Sequence, residues 1–283
     1  MKNTKKIIAI DKLHAFENHP YKVQDNEEME ALTESIKEHG IVSPVIVRPL
    51  ENTIDEYEII SGHRRVMASR KAGITEIPAL IVSLDRDAAA IVLVDSNLHR
   101  EHILPSEKAY AYKMKLDAMK HQGWRSDLTS PQVVAKSRTT EMVGADTGDS
   151  HEQVRRYIRL TNLIPEILQY VDDGRISFTP AVELSYLNEQ EQQDLLEQIE
   201  QSDCTPSLSQ ACRFKKISQG EGLTPEVIAE IMEEEKANQK ERVKIPTEKL
   251  RKYFPKNYTV QQIEDEIIKL CEKNYRIKQR DAR

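Results

Sequence analysis

Five consecutive residues near position 60 have the chemistry of an anion site. The run Ser61-Gly62-His63-Arg64-Arg65 follows a β-rich stretch, Tyr57 to Ile60, and opens a helical pattern. The first turn of a helix presents unpaired backbone N–H groups and the positive end of the helix dipole, which favour phosphate oxygens. Gly62 permits close backbone approach, and the two arginines add charge-assisted donors. The run predicts a phosphate site, with an exposed basic turn as the alternative. It lacks the GxxxxGK[ST] pattern of a P-loop.

A second polar cluster follows an apolar helix pattern. The residues Asp95 to Glu101 come directly after the apolar run Ala88 to Val94. Polar groups packed into one turn after a buried helix could hold a phosphate or a metal ion. The alternative is an ordinary helix C-terminus.

A third feature has the pattern of a DNA-reading helix. Ser150 can cap a helix with Gln153 at its third position, and Val154 and Ile158 then form an apolar stripe. The preceding segment 140–148 completes a helix-turn-helix pattern, in which the second helix enters the major groove. Arginine and glutamine side chains read guanine and adenine edges. The candidate DNA-binding residues are Ser150, Gln153, Arg155, Arg156 and Arg159. The alternative is a solvated basic helix face.

The elements that must position these residues change type near residue 104. Before it, strand patterns at 7–10, 45–47, 57–60 and 77–82 alternate with helices that begin at an Asp25 N-cap, near Arg64 and near Asp87. The strands at 45–47 and 57–60 have the pattern of a hairpin, and Gly40 lies where the C-terminal cap of the first helix is expected. After Pro105, every element is predicted to be helical. The predicted fold is an α+β N-terminal domain over 1–103 and an all-α helix-turn-helix domain over 104–201. A helical linker region over 202–241 and a helical C-terminal domain over 242–283 follow.

Composition excludes several classes of protein. No apolar run in the 283 residues approaches the length of a transmembrane helix. The three cysteines form no CxxC pair and have no nearby histidine, which argues against a disulfide scaffold and a zinc site and predicts a cytoplasmic protein. The formal net charge of -6 is uneven, with a net of -9 over 183–241 and +6 over 242–283. The basic tail is a candidate surface for nucleic acid or an acidic partner, or else a solvated face.

In this order, the three features resemble the ParB family of partition proteins. The resemblance covers roughly residues 5–190. The matching segments are Asn18-His19-Pro20-Tyr21, the Gly-x-x-x-Pro-x-x-Val-Arg pattern at 40–48, the Gly-Glu-Arg-Arg motif at 62–65, the Glu-Asn-x-x-Arg-Glu motif at 96–101, and the helix-turn-helix with its following segments to Ala181.

The resemblance implies a CTP-dependent DNA clamp with a ParB/sulfiredoxin-like N-terminal fold. Such a protein is a homodimer that loads on double-stranded DNA at a palindromic, centromere-like site, binds CTP, closes and slides, and stimulates a ParA-type ATPase. The nucleotide-binding residues that the resemblance implies are Ser61, Gly62, His63, Arg64, Arg65, Asn97 and Arg100. Asn97 is also the implied ligand of Mg²⁺.

Two departures from the family motifs bear on whether CTP is hydrolysed. The motif glutamates are replaced here by His63 and Ser96. The second replacement predicts CTP binding with weak or absent hydrolysis. Asp95 is a candidate substitute, but a shift of one residue turns a helical side chain by about 100°. Such departures suit a plasmid or integrative-element protein better than a chromosomal one.

Two other classes of function remain as alternatives. A transcription regulator would use only the helix-turn-helix and would not need the motif at 62–65. An enzyme with this N-terminal fold could be a nuclease, a serine kinase or a sulfiredoxin. Sulfiredoxin chemistry needs a cysteine before the His-Arg pair, where this chain has Gly62, and a nuclease needs more tightly clustered carboxylates than Asp85, Asp87 and Asp95 suggest.

The C-terminal residues predict a dimer contact. Thr259 with Gln262 can cap a final helix, and six residues then follow spacings of 3, 4, 3, 4 and 3, which is the seam of a short coiled coil. They are Val260, Ile263, Ile267, Leu270, Asn274 and Ile277. A lone asparagine in such a seam tends to fix a two-stranded register. The alternative is that this stripe packs within its own domain.

A truncation tests the predicted dimer contact. The full chain is expected to sediment as a dimer without nucleotide, and a chain ending at Lys240 as a monomer, because it lacks the seam. Sedimentation velocity of both chains makes the comparison. A truncated chain that remains dimeric without CTP contradicts this assignment.

Overall fold

The computed structural model describes most of the first 234 residues and part of the remainder. The described residues are 4–23, 25–98, 100, 103–121, 140–144, 147–220, 222–234, 253–254, 259, 262–263, 266–271 and 273. Residues up to Glu234 form one compact unit, and those after it belong to a second.

The N-terminal domain is α+β, as the sequence predicts. Its strands are β1 (Thr4–Ala9), β2 (Leu13–His14), β3 (Val45–Pro49), β4 (Tyr57–Ser61) and β5 (Glu76–Ile81), and its helices are α1 (Glu27–His39), α2 (His63–Lys71) and α3 (Arg86–Asn97). The five strands form one sheet in the order β1-β5-β3-β4-β2. The predicted hairpin is the antiparallel pair β3–β4, whereas β3–β5 and β4–β2 are parallel.

Side chains on both faces of the central strands are buried. Val47 and Ile59 lie in one apolar cluster with Val66 of α2. Ile60 belongs to a second cluster with Leu93 and other residues of α3. Because successive side chains of a strand point to opposite faces, β4 is covered on both sides and its end is fixed in space. That end is where the predicted phosphate motif begins.

Helix α1 confirms one predicted end and corrects the other. Gly40 closes it with φ 69°, and the Gly40 amide donates to the Ile36 carbonyl at 2.9 Å. The predicted N-cap, Asp25, is wrong by one residue, since the side chain of Asn26 accepts from the Met29 amide at 3.1 Å. Asp25 instead pairs with Lys71 of α2. Asp25 and Asn26 both have side chains that can cap a helix, and the ion pair of Asp25 with Lys71 leaves the cap to Asn26.

All described elements after residue 104 are helical, as predicted. They are α4 (Pro105–His121), helical residues 140–144, α5 (His151–Arg159), a 3₁₀ turn (Leu160–Asn162), α6 (Pro165–Asp172), α7 (Phe178–Leu184), α8 (Glu189–Ser202), α9 (Leu208–Ser218) and α10 (Pro225–Glu233) in the first unit. Residues 140–144 and α5 are the two helices of the predicted helix-turn-helix.

Helices α9 and α10 lie within the predicted helical linker region. Phe214 of α9 and Ile228 of α10 are fully buried in the same apolar cluster as Ile167 of α6 and Leu195 of α8. The region 202–241 therefore begins with two helices that belong to the folded core.

The predicted cap of the final helix is present in the second unit. The Gln262 amide donates to Thr259 Oγ1 at 3.3 Å, and the Thr259 amide donates to Gln262 Oε1 at 2.9 Å. Ile263 is buried, whereas Leu270 is 55% exposed. Val260, Asn274 and Ile277 lie outside the described residues, so the coiled-coil seam stays a prediction.

The described part of the chain contains neither a membrane-spanning helix nor a cluster of metal ligands. None of its helices is long and apolar enough to cross a membrane. It brings no three histidine, cysteine, aspartate or glutamate side chains together as a metal site. The three cysteines are free thiols.

The turn between the two helix-turn-helix helices leaves no space for a side chain at Gly144. A Cβ there would overlap the backbone oxygen of Asp149 and lie 2.9 Å from Val154 Cγ2. At Gly220, by contrast, a Cβ would meet only ordinary contacts at 3.6 Å.

Gly144→Ala is therefore expected to destabilise the protein by about 1–3 kcal/mol, the usual cost of overpacking. Gly220→Ala is the matched control and is expected to change the stability by less than about 0.5 kcal/mol. Urea unfolding of the two variants measures both effects. Equal stabilities would show that the turn does not have this close packing.

Candidate nucleotide and DNA sites

The start of α2 has the strand, turn and helix geometry that the sequence predicts. Strand β4 ends at Ser61, and Gly62 follows as the N-cap with φ 106°. A Cβ at Gly62 would lie 2.8 Å from Val45 Cγ1, so both the dihedral angle and the available space require glycine. The amides of the first helical residues begin directly after this turn. They are donors of the kind that bind phosphate oxygens.

The two motif arginines have different surroundings. Arg64 is partly exposed, and its Nη2 donates to Glu28 Oε2 at 2.9 Å. The Arg65 Nη1 donates to the carbonyls of Ser43 and Pro44, the latter at 3.0 Å. Burial lowers the pKa of Arg65. Arg64 can therefore exchange a surface carboxylate for a ligand, whereas Arg65 already holds the segment that leads into β3.

The loop 15–23 packs against His63, which sequence patterns alone did not indicate. The Phe16 amide donates to His63 Nε2 at 3.4 Å, and the rings of His19 and His63 lie 3.9 Å apart. Arg100 lies over the ring of Tyr21 at 5.5 Å. In the sequence, this loop was indicated by the family match at Asn18 to Tyr21, to which no role was assigned.

Asn97 has the atom that a metal ligand needs. The residue is 6% exposed, and its Nδ2 donates to the Leu93 carbonyl at 2.7 Å and to Ser96 Oγ at 3.2 Å. Its Oδ1 accepts no hydrogen bond from the described residues. A buried amide oxygen without a donor fits the oxygen ligands that Mg²⁺ prefers. The residue present therefore fits the metal that the resemblance implies.

Asp95, the candidate substitute for the motif glutamate, is engaged with another element. Its Oδ1 accepts from Lys115 Nζ of α4 at 2.6 Å, and the Lys115 side chain is almost fully buried. A buried lysine needs this carboxylate as its counter-ion. The pair draws Asp95 towards α4.

Helix α5 begins at the predicted cap. Ser150 Oγ accepts from the Gln153 amide at 3.2 Å. The reciprocal half of the predicted capping box is replaced, because the Gln153 side-chain oxygen accepts from Arg156 Nη1 at 3.5 Å. Val154 is fully buried, as its place in the apolar stripe predicts.

The three arginines of α5 have different contacts. Arg155 is exposed and makes no hydrogen bond with a described residue. Arg156 donates to Thr179 Oγ1 at 3.1 Å. Arg159 donates to the Ser185 carbonyl at 2.7 Å and stacks 3.6 Å from the centre of the Tyr186 ring. The Arg155 side chain is thus accessible to a ligand, whereas Arg159 links α5 to the end of α7.

The position of α5 is set by an ion pair at its N-terminal end. Lys108 Nζ of α4 lies 2.6 Å from Asp149 Oδ2, and Tyr112 donates its hydroxyl hydrogen to the same carboxylate. Burial raises the pKa of Asp149, but the hydrogen bonds from Lys108 and Tyr112 outweigh it and leave that pKa below its usual value. The carboxylate stays charged beside the positive end of α5.

The two halves of this unit match two family models. Residues 1–98 match the ParB N-terminal domain, and residues 131–211 match the ParB HTH domain. Together, these matches cover more than half of the chain. The chain belongs to the ParB family. Its α+β and helix-turn-helix domains are the two folds of that family.

Two relatives are similar to this chain over part of their length. The nucleoid occlusion protein of Listeria innocua is 31% identical over 196 residues, which are 69% of this chain and 62% of that protein. The probable chromosome 1-partitioning protein ParB of Deinococcus radiodurans is 35% identical over 175 residues, which are 62% of this chain and 53% of that protein. The matched part is thus somewhat more than half the length of these relatives.

Two solved structures of C-terminally truncated ParB from Caulobacter crescentus are also similar. The complex with the centromeric parS site has a TM-score of 0.42 at 20% identity and covers 80% of this chain and 98% of that one. The complex with CTP-gamma-S has a TM-score of 0.33 at 25% identity and covers 69% and 98%.

The surroundings of His63 predict a pH dependence of stability. Burial, with the charges of His19 and Arg100, lowers the pKa of His63 to about 3. In the unfolded chain a histidine titrates near pH 6.5, so the unfolded state takes up the proton first as the pH falls. The stabilising effect is complete above about pH 6.5 and is lost as the pH falls towards 3.

Between pH 7 and pH 5, His63 is expected to account for a loss of about 2 kcal/mol in unfolding free energy. Urea unfolding at the two pH values measures it. His63→Gln should lose correspondingly less, whereas the exposed control His39→Gln should behave like the parent. An equal loss in His63→Gln and the parent would contradict the buried, neutral state of His63.

Proposed function

We propose that this chain is a partition protein that works as a CTP-gated, dimeric DNA clamp. It loads at a palindromic, centromere-like DNA site, binds CTP with Mg²⁺ in the N-terminal domain, and stimulates a ParA-type ATPase. The observation that supports this most directly is the presence, in one compact unit, of a glycine turn opening α2 and a helix-turn-helix with an exposed Arg155. The family match gives the order of these parts.

In the nucleotide site, the chain supplies donors and one ligand atom. The amides at the start of α2 and the Arg64 guanidinium bind the triphosphate, and Asn97 Oδ1 holds Mg²⁺. The metal, when bound, neutralises phosphate charge. Arg65 acts from behind by fixing Ser43 and Pro44, so we assign it a positioning role. Weak or absent hydrolysis stays our expectation, since Ser96 provides no carboxylate.

In the DNA site, α5 enters the major groove. Arg155, with Gln153, reads base edges, and Ser150 at the helix N-terminus binds a backbone phosphate. Arg156 and Arg159 hold α5 against α7, although both were candidates for DNA contact. This division assigns sequence reading mainly to Arg155.

Arg64→Ala tests the nucleotide site. Loss of a charge-assisted contact worth about 1.5–3 kcal/mol should weaken CTP binding roughly ten- to hundredfold. Isothermal titration calorimetry with CTP and Mg²⁺ measures the affinity, with ATP, GTP and UTP as comparison ligands.

Two variants serve as controls for Arg64→Ala. Arg86→Ala removes another surface guanidinium that is paired with a carboxylate, Glu17, and should bind CTP like the parent. Glu28→Gln frees Arg64 from its partner and should bind CTP at least as tightly. Unchanged CTP affinity in Arg64→Ala makes the pocket assignment wrong. Absence of CTP binding in the parent favours a regulator without nucleotide gating.

Arg155→Ala tests the DNA site. The substitution should cost about 1–3 kcal/mol in binding to a palindromic duplex selected from random DNA, because one base contact is lost. Its unfolding free energy should stay unchanged, since Arg155 makes no hydrogen bond with a described residue. Arg159→Ala should instead lower the unfolding free energy.

Fluorescence anisotropy on specific and scrambled duplexes separates the roles at the DNA site. If Arg155→Ala weakens both duplexes equally, with a shallower salt dependence, Arg155 contacts phosphates and reads no base. If it weakens neither, α5 is not the reading helix.

A further inference from the structure

Two histidines lie ring to ring beside the first turn of α2. His63 is the first residue of α2, and His19 comes from the loop 15–23. Their ring centres are 3.9 Å apart with the planes tilted by 47°. The family motif has glutamate where this chain has His63, so the pair gives this site a different chemistry.

The hydrogen bonds fix which ring nitrogen carries the proton. His63 Nε2 accepts from the Phe16 amide at 3.4 Å, so its neutral ring carries hydrogen on Nδ1. His19 Nδ1 lies 2.7 Å from the carbonyl oxygen of Tyr21, which can only accept. His19 therefore carries hydrogen on Nδ1 and keeps Nε2 unprotonated. Among the described residues, neither His63 Nδ1–H nor His19 Nε2 has a hydrogen-bond partner.

The charges around the pair are cationic. Arg100 acts on both rings, and Arg64 and Arg65 follow His63 along α2. The neighbouring Tyr21 is neutral, since burial raises its pKa, and the charges of Glu107 and Asp95 act on Tyr21. Among the described residues, no carboxylate contacts either ring. Burial, opposed by the Tyr21 carbonyl, lowers the pKa of His19.

A bound anion would change the balance between the neutral and the protonated forms of these histidines. An opposite charge within about 4–6 Å favours the protonated form of a histidine. A triphosphate at the start of α2 would supply the negative charge that the surroundings lack. His63 cannot gain a proton on Nε2 without losing the Phe16 hydrogen bond, whereas His19 Nε2 has no such bond to lose.

We propose that His63 donates Nδ1–H to a phosphate oxygen as a neutral ring and that His19 takes up one proton on Nε2 when the nucleotide binds. The proposal rests on the nucleotide site proposed above. The proton comes from solvent, and no covalent bond forms or breaks. Nucleotide affinity then rises as the pH falls, and His19 is the residue responsible.

Calorimetric titration of the full chain with CTP and Mg²⁺ at pH 6 and pH 8 tests the proposal. The parent should gain affinity at the lower pH, by up to about tenfold per pH unit for one proton. His19→Gln should lose this dependence. His39→Gln, at an exposed site on α1, should keep it. Protonation of CTP itself is the same for every variant and cancels in the comparison.

Two further measurements separate the roles of the histidines. Titration in buffers of different ionisation heat counts the protons taken up, and His19→Gln should take up fewer than the parent. His63→Phe keeps a ring against His19 but removes the donor, so it should bind CTP roughly ten- to hundredfold more weakly at both pH values.

The outcomes distinguish this proposal from the proposed function. CTP binding with the same pH dependence and proton uptake in His19→Gln overturns the role of His19 and leaves the function intact. Parent-like affinity in His63→Phe overturns the donor role. A parent that binds no CTP at either pH overturns the nucleotide function and the proposal together.

Discussion

Two buried carboxylates, Glu107 and Asp172, hold the N-terminal domain against the helix-turn-helix domain. Glu107 accepts from the Lys22 amide at 2.8 Å and from the Leu104 amide at 3.2 Å. Asp172, whose side chain is 2% exposed, accepts from the Ser106 amide at 2.9 Å and from the Ser106 hydroxyl at 2.6 Å, and lies 3.4 Å from Lys22 Nζ. A buried carboxylate is tolerated only with such donors. The two domains therefore meet through polar groups that must stay paired, beside the apolar cluster that Leu93 of α3 shares with Tyr112 of α4.

The same loop that supplies Lys22 also forms a wall beside the candidate nucleotide site. Residues 15–23 are held by Glu58, which accepts from the Glu17 amide at 3.2 Å and forms a buried ion pair with Arg48 at 2.7 Å. They reach α3 through Tyr21, whose hydroxyl lies 3.4 Å from the Val94 carbonyl. A displacement of this loop by a ligand at α2 would act directly on the pairing of Lys22. These contacts connect the proposed nucleotide site to α4 through Lys22. The ion pair between Lys108 of α4 and Asp149 extends this connection to the start of α5.

Local patterns predicted most of the elements, and contacts between distant residues account for the rest. The strands, the helices and the Gly40 cap follow from periodicity and capping, which involve only neighbouring residues. Strand β2 has two residues and pairs with β4, so its short sequence has no alternation to detect. The choice of Asn26 over Asp25 depends on Lys71, which lies 46 residues from Asp25 along the chain. The candidate residues at 61–65, 97 and 100 could be named from motifs, but the use of Arg65 and Arg159 to hold backbone carbonyls depends on Pro44 and Ser185.

We propose that one folded unit carries a nucleotide site and a DNA site that affect each other. The most direct measurement is the affinity of the full chain for a selected palindromic duplex with and without saturating CTP and Mg²⁺, together with the CTP affinity with and without that duplex. Coupled sites change each other's affinity by the same factor, typically about 5- to 150-fold. We expect the factor by which CTP changes the DNA affinity to differ clearly from one and to equal the factor by which DNA changes the CTP affinity. Tight binding of both ligands with a factor of one would contradict it.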